Sequence, residues 1–376
     1  MMLRAIPTAT DDPINRAILT VSEDQISGFA REPFAAIAQR AGVPVETVLE
    51  RIAAMLEAGV IRRVRQTLIT TKLARGALVA WQVPEDKLNA AFDWLHANDP
   101  FTGHVVIRST DAQTPGAMYR LWTTLKVPPQ YTLETHCGHL ARRIEAERYR
   151  IMPAKKLFKL GVGHMRRRSI QPGDRAARRA RPHDTELVEL TGEQWDLLWT
   201  LKRELSAHEI TRNLWAKRAA ELDMDFERFC TMAEELDGLG VIGRFSTFLE
   251  HVKKVGRAEP VARYNGLFHW AVPPGRELEA GGEVGRHHIM THAYWREGGP
   301  EFNHVNIMGV AHGADKQRVL EHKAAIDAHL EEAGIPVTYT AVFWGGRSEV
   351  TPSELSPDEY RQWAEQQGLD ARASHT

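Results

Sequence analysis

The chain has 376 residues, 43% hydrophobic and 26% charged, with a net charge of about −1. Such a composition belongs to a packed globular protein of roughly two to four domains, and its charge balance leaves no global footprint for nucleic acid. Cys137 and Cys230 lack any metal or redox-motif spacing, the N-terminus lacks the apolar core of a leader, and no run of ~18 apolar residues occurs, so a reduced, cytoplasmic chain without a membrane span is expected.

Taken in chain order, FAAIAQRAGVPVETVLERIAAMLEAGVI (34–61) predicts two helices around a Gly-Val-Pro turn. Ile37, Ala38, Val48, Ile52, Met55 and Leu56 recur near helical spacing, and Gly59 ends the second helix. With a β-wing at 61–69, this reads as a winged helix-turn-helix over 14–70. Residues 71–165 then read strand (ALVAWQVP, 77–84), helix, strand (HVVIR, 104–108), strand (118–127), helix and strand (RYRIMP, 148–153). That βαββαβ order is the ferredoxin-like pattern. An Arg-, Pro- and Gly-rich stretch, read as a solvated linker, occupies 166–190; its arginines are 166–168, 175, 178–179 and 181.

The series then repeats. TGEQWDLLWTLKREL (191–205) and DFERFCTMAEELDGLGVI (225–242) predict a second winged helix-turn-helix over 191–252, a second ferredoxin-like domain covers 260–346, and a tail covers 347–376. EAGVIRRVRQTL (57–68) matches GLGVIGRFSTFL (238–249), ALVAWQVP matches GLFHWAVP (266–273), and HVVIR matches HAYWR (292–296). The offsets are 181, 189 and 188 residues, in one order, which points to duplication. The expected fold is therefore α+β, a tandem duplication of winged helix-turn-helix plus ferredoxin-like domain.

Both H-x-x-x-R segments place a histidine and an arginine on one face of a strand, His104 with Arg108 and His292 with Arg296. At ~3.3 Å per residue their Cα atoms stand ~13 Å apart, a spacing for a large ligand rather than one small group. Alternation puts Tyr294 and His288 on the His292 face and turns Trp295 away; His304 begins the neighbouring strand, and His269 and His287 lie near by in sequence. His322 and His329, seven apart on one helix face, lack the HExxH spacing of a zinc site.

A winged helix-turn-helix followed by a ferredoxin-like domain resembles the Lrp/AsnC family. Arg62 and Arg63 after GVI, the H-x-x-x-R strand and YRIMPAKKLFKLGV (149–162) resemble the siroheme decarboxylase branch, in a fused form of its two-subunit enzyme. The second copy departs from that pattern. Gly243 replaces the first wing arginine, leaving Arg244, and FWGGRSEV stands where the Phe-Lys ending would be. Val64-Arg65 and Phe245-Ser246 replace a small pair.

The resemblance implies removal of acetate carboxyls from siroheme, toward haem d1 or by an alternative haem route. A flat iron macrocycle with many carboxylates needs guanidinium forks, a proton donor and no cofactor beyond itself. On that reading His292 and His104 are candidate acids or axial ligands to the substrate iron, and Tyr294 is a second donor. Arg296, Arg108, Arg244, Arg63 and Arg62 are carboxylate binders, with Arg65 a weaker one, and His288 and His269 are substrate contacts. The more reactive site is expected in the histidine-richer second copy.

The partners expected are siroheme or a related tetrapyrrole, and a second copy or related subunit. The rivals are an Lrp/AsnC-type transcription regulator and a non-catalytic haem or siroheme carrier or sensor. Acidic residues on the second helices (Glu46, Glu50 and Glu57 against Arg51; Asp223, Asp225, Glu227, Glu234, Glu235 and Asp237 against Arg228) disfavour DNA.

Overall fold

The computed structural model describes residues 6–161, 170–250, 263–351 and 353–369, so the linker arginines 166–168 lie outside the described residues. In chain order the elements are α1 (Pro13–Ser22), β1 (Ile26–Ser27), α2 (Pro33–Ala41), α3 (Val45–Glu57), β2 (Ile61–Leu68), β3 (Arg75–Gln82), α4 (Leu88–Asn98), β4 (Thr102–Ser109), β5 (Leu121–Val127), α5 (Leu133–Arg143), β6 (Arg148–Pro153) and β7 (Lys156–Leu160). There follow α6 (Gly192–Lys202), α7 (Leu214–Glu221), α8 (Phe226–Gly238), β8 (Ile242–Leu249), β9 (Tyr264–Ala271), α9 (Glu277–Gly285), β10 (Met290–Trp295), β11 (Ile307–Gly313), α10 (Lys316–Glu332), β12 (Tyr339–Val350) and α11 (Pro357–Gln366). No helix among the described residues is long and apolar enough to cross a membrane.

Two compact units form. One draws on the chain up to Ile69 and on Val188–Arg263; the other draws on Thr70–Leu160, Ile170–Leu187 and everything from Tyr264. In the first unit, α1, α2 and α3 precede the wing strand β2, and α6, α7 and α8 precede β8. Asp12 caps α1 through the backbone N–H groups of Ile14 and Asn15, and left-handed Gly42 ends α2. The wings pair antiparallel in the sheet order β1-β8-β2, with Arg63 opposite Phe248 and Arg65 opposite Ser246. Helix α7 escaped the sequence pattern because a core position is an arginine. Arg218 is buried and neutralised by Glu209 at 2.7 Å, while it donates to the Thr200 carbonyl.

The second unit holds a nine-stranded sheet in the order β6-β3-β5-β4-β12-β9-β11-β10-β7. Numbered within each half, β6-β3-β5-β4 and β12-β9-β11-β10 both run 4-1-3-2. Each half buries one face under its own helices, with Val79, Trp81 and Phe92 in one such core and Phe268, Trp270 and Ile326 in the other. The opposite face carries residues of both halves in one cluster, including Ala80, Val106, Trp122 and Met152 with Leu267, Met308 and Phe343. Trp122 lies 5.4 Å from Phe302 and 5.3 Å from Phe343, so the sheet curls until its two halves meet on this inner face.

Two exchanges join the halves and extend the sheet. After β6 the chain crosses to the far edge as β7 and pairs with β10, His292 opposite Leu160 and Tyr294 opposite Leu157. The distal part of β12 pairs with β4, Val350 opposite His104 and Ser348 opposite Val106. Each half thus covers the other half's His/Arg strand, which would otherwise be an unpaired edge. KLFKL (156–160) and the distal part of FWGGRSEV differ in sequence but take corresponding places in the sheet. Small residues in α9 allow β7 to approach, since a Cβ at Gly281 would collide with the Phe158 ring.

Residues after 346 continue β12 and then form α11, which seals the core of the first half. Tyr360 packs 4.8 Å from Phe101 and shares a 3.1 Å hydrogen bond with His136, and the Trp363 indole donates to the Asn98 carbonyl. Trp363→Ala is expected to lower the unfolding free energy by ~3–5 kcal/mol, the cost of truncating a buried aromatic. Guanidinium denaturation of the whole chain measures it, and an unchanged midpoint would refute the sealing role.

His269 on β9 is fully buried among Trp122, Phe302 and Phe343, and neither ring nitrogen has a hydrogen-bond partner among the described residues. Burial, with Arg108 and Lys323 adding to it, pushes its pKa down to about 3. The unfolded imidazole titrates near ~6.5, so the neutral ring contributes its full stability above that pH and loses it as pH falls toward 3. His269→Leu should flatten the decline of thermal midpoint between those two values; an acid limb as steep as that of the wild type would contradict this.

Candidate active site

The curl and the register decide which side chains share the inner face. On β4, Val106 belongs to the inner cluster while Val105 packs under the helices, so His104 and Arg108 also face inward. On β10, Ala293 and Trp295 pack on the helix side, so His292, Tyr294 and Arg296 face inward. Both pairs anticipated from sequence therefore come to one face of one sheet.

The arginines are less open than carboxylate forks were expected to be. Arg108 and Arg296 are 4% and 7% exposed. Arg108 donates to the Phe343 carbonyl at 3.2 Å and to Asn265 at 3.3 Å, while its Nε has no partner. Arg296 donates to the Met152 carbonyl at 2.5 Å and lies 4.4 Å over the Tyr294 ring. Each guanidinium thus reaches the last strand of the other half. Burial lowers both pKa values, that of Arg108 to about 9, and raises that of Tyr294, with Arg296 opposing the rise.

His104 is half-buried, and its Nε2 stands 2.8 Å from the Ser348 hydroxyl. Burial holds its pKa down to about 3, and the charges of Arg108 and His292 act in the same direction. His292 is also half-buried, with Nδ1 3.0 Å from the Thr291 hydroxyl and its ring nearly parallel to Tyr294 at 6.2 Å. Ser348 and Asn265 were not singled out from sequence. Both lie far along the chain from the strand they serve, and only the β12–β4 and β12–β9 registers bring them there.

Other histidines do not take their expected places. β10 begins at Met290 and changes register before His292, so His288 falls in the turn after α9, outside the alternation. His304 is exposed in a left-handed turn, φ 56°, and β11 starts three residues later. His269 does face inward, but into the apolar core. His287 and His329 are buried on the helix side, 2.7 Å apart, with Glu283 3.0 Å from His329.

The wing arginines belong to the first unit. Arg63 pairs with Glu204 at 3.2 Å, and Arg244 donates to the Glu23 carbonyl. Arg65 and Arg244 lie 5.5 and 5.9 Å from the centre of the Phe248 ring. Burial lowers the Arg65 pKa, and the neighbouring charges of Arg63, Arg244 and Arg62 lower it further, so the paired wings concentrate positive charge in one place. Acidic side chains of the second helices are held by ion pairs: Arg31 with Glu227 and Glu234 at 2.7 and 2.6 Å, and Arg212 with Glu46 at 2.6 Å.

A family model described as an AsnC-like ligand binding domain matches residues 73–159, and one described as a siroheme decarboxylase NirDL-like HTH domain matches 28–62. The siroheme decarboxylase of Hydrogenobacter thermophilus is 26% identical over 293 residues, covering 77% of this chain and 81% of that protein. The siroheme decarboxylase alpha subunit of Desulfovibrio desulfuricans is 27% identical over 154 residues, 40% of this chain and 82% of the subunit. Two crystal structures share the fold, each with a TM-score of 0.65 over 94% of this chain and 98% of theirs. One is the siroheme decarboxylase NirDL, at 20% identity, and the other is NirDL in co-complex with an iron-uroporphyrin III analogue, at 19%. Through its family-model matches and these relatives, the chain is similar to siroheme decarboxylases.

Proposed function

We propose that this protein removes acetate carboxyl groups from siroheme, on the way to haem d1 or in an alternative route to haem, as a cytoplasmic carbon-carbon lyase. The observation that carries the proposal is the convergence of both His/Arg pairs on one inner face of the sheet. The reading extends to the architecture: two copies of one winged helix-turn-helix and ferredoxin-like unit, divided near 14–70, 71–165, 191–252 and 260–346. The repeated 4-1-3-2 strand order and the reciprocal exchanges at β4 and β10 support it.

In the reaction, the bond between an acetate methylene and its carboxylate breaks, CO2 leaves, and the electron pair is delocalised into the tetrapyrrole. A proton then reaches the exocyclic carbon and leaves a methyl group, with no net oxidation. His292 supplies that proton, with Tyr294 beside it as a second donor, and His104 serves the corresponding place in the first half. Either histidine is a candidate axial ligand to the substrate iron. Arg296 and Arg108 hold carboxylates at the inner face, giving up carbonyl contacts to do so. Arg244, Arg63 and Arg62, with Arg65, are candidate carboxylate binders on the wings of the first unit. His288 and His269 are the weakest assignments, since one leaves the strand and the other is enclosed by aromatic rings. A regulator role is disfavoured by acidic recognition-helix side chains already locked in ion pairs within the first unit.

Anaerobic incubation with siroheme, followed by mass analysis of the pigment, is expected to show loss of one CO2 per carboxyl removed. An unchanged pigment that stays bound would make the protein a carrier instead. His292→Ala should reduce turnover by at least roughly a hundredfold, the lower scale of general acid catalysis, while retaining pigment binding. Full activity in that variant would remove His292 from the reaction.

Protonation of His104 supplies a separate check. In the free protein, burial and the charges of Arg108 and His292 keep its ring neutral down to about pH 3. Substrate carboxylates offset those positive charges and favour the imidazolium, so binding moves the pKa upward. Activity that needs the imidazolium is lost as pH rises through this pKa. The alkaline limb attributable to His104, isolated by comparison with His104→Gln, should therefore lie at higher pH in kcat than in kcat/KM; coincident limbs would contradict substrate-assisted protonation.

A further inference from the structure

Between Gly345 and Ser348, β12 spends three steps against two on β4: Gly345 lies opposite Arg108, and Ser348 opposite Val106. The one extra residue is a β-bulge, and it exchanges the faces of everything beyond it. Before the bulge, odd-numbered Ala341 and Phe343 face the inner cluster. An unbroken strand would continue with residue 347 on that face and set a guanidinium beside His104. Instead Arg347 turns to the helix side, where it lies 4.2 Å over the Phe92 ring and pairs with Asp93. Ser348 takes the inward place, its hydroxyl 2.8 Å from His104 Nε2.

Glycine makes room for the turn. A Cβ at Gly345 would lie 3.2 Å from that of Asn265, the residue that receives Arg108. The Gly-Gly-Arg-Ser segment is thus a device that removes a positive charge from His104 and replaces it with a hydroxyl.

We propose that Ser348 is a positioning residue for His104, its hydroxyl holding the imidazole in its orientation on the inner face. A hydroxyl can donate to a neutral ring nitrogen and accept from a protonated one, so the contact survives proton transfer. The proposal rests on the reading of His104 as a proton donor, and its consequences at the ring are separable from that reading.

The test uses the full chain with 15N-labelled histidine, His104 being assigned by comparison with His104→Gln. In Ser348→Ala the His104 ring resonances should change, because Nε2 loses its hydrogen-bond partner. The turnover assigned to His104 should drop roughly tenfold, the scale of one lost hydrogen bond at the reacting group, with KM within about twofold as expected for an effect confined to the transition state. Ser348→Thr, which retains the hydroxyl, should restore both the resonances and the rate. Unchanged His104 resonances in Ser348→Ala would overturn the proposal. Shifted resonances with unaltered turnover would uphold the contact and overturn the role of His104 in the reaction.

Discussion

The backbone pairing that joins the two halves of the second unit governs the geometry of the candidate site. Unpaired N–H and C=O groups on β4 and β10 would cost stability if buried and would invite other chains if exposed. The chain satisfies them internally, with the distal part of β12 on β4 and with β7 on β10. Because side chains alternate across a strand, these pairings also settle which face His104, Arg108, His292 and Arg296 share. The inner cluster of Trp122, Phe302 and Phe343 then holds the two faces together.

The same joining explains the burial of the arginines. Arg108 reaches the Phe343 carbonyl in the second half, and Arg296 reaches the Met152 carbonyl in the first. A guanidinium satisfied by a backbone carbonyl is costly to bury but not orphaned. Such a group can exchange a neutral acceptor for a carboxylate, a stronger, charge-assisted partner. On the proposed function, structure and ligand binding draw on the same donors, which suits a site that must be stable when empty and attractive to a polyanion.

The winged unit shows charge redirected by intramolecular pairing. Arg31 and Arg212 hold acids of the second helices, and the wings place Arg65 and Arg244 around one Phe248 ring. Acids of the second helices are held in ion pairs while guanidinium groups cluster on the paired wings, a charge distribution unlike the basic face of a major-groove reader.

Much was legible in sequence because it depends on short-range periodicity. Ile37, Val48 and Ile52 mark a helical face, and Val79, Trp81, His104 and Arg108 mark strand faces. The recurrence of HVVIR as HAYWR indicated two related strands. What stayed hidden depends on contacts between distant segments or on one-residue irregularities. His288 left the expected face because β10 starts later and changes register, and Ser348 reached His104 because a bulge reversed the alternation of β12. Local sequence determined the residue types and the period on which they repeat. Tertiary pairing alone decided which of them meet, since a single extra residue in a strand turns every later side chain to the other face.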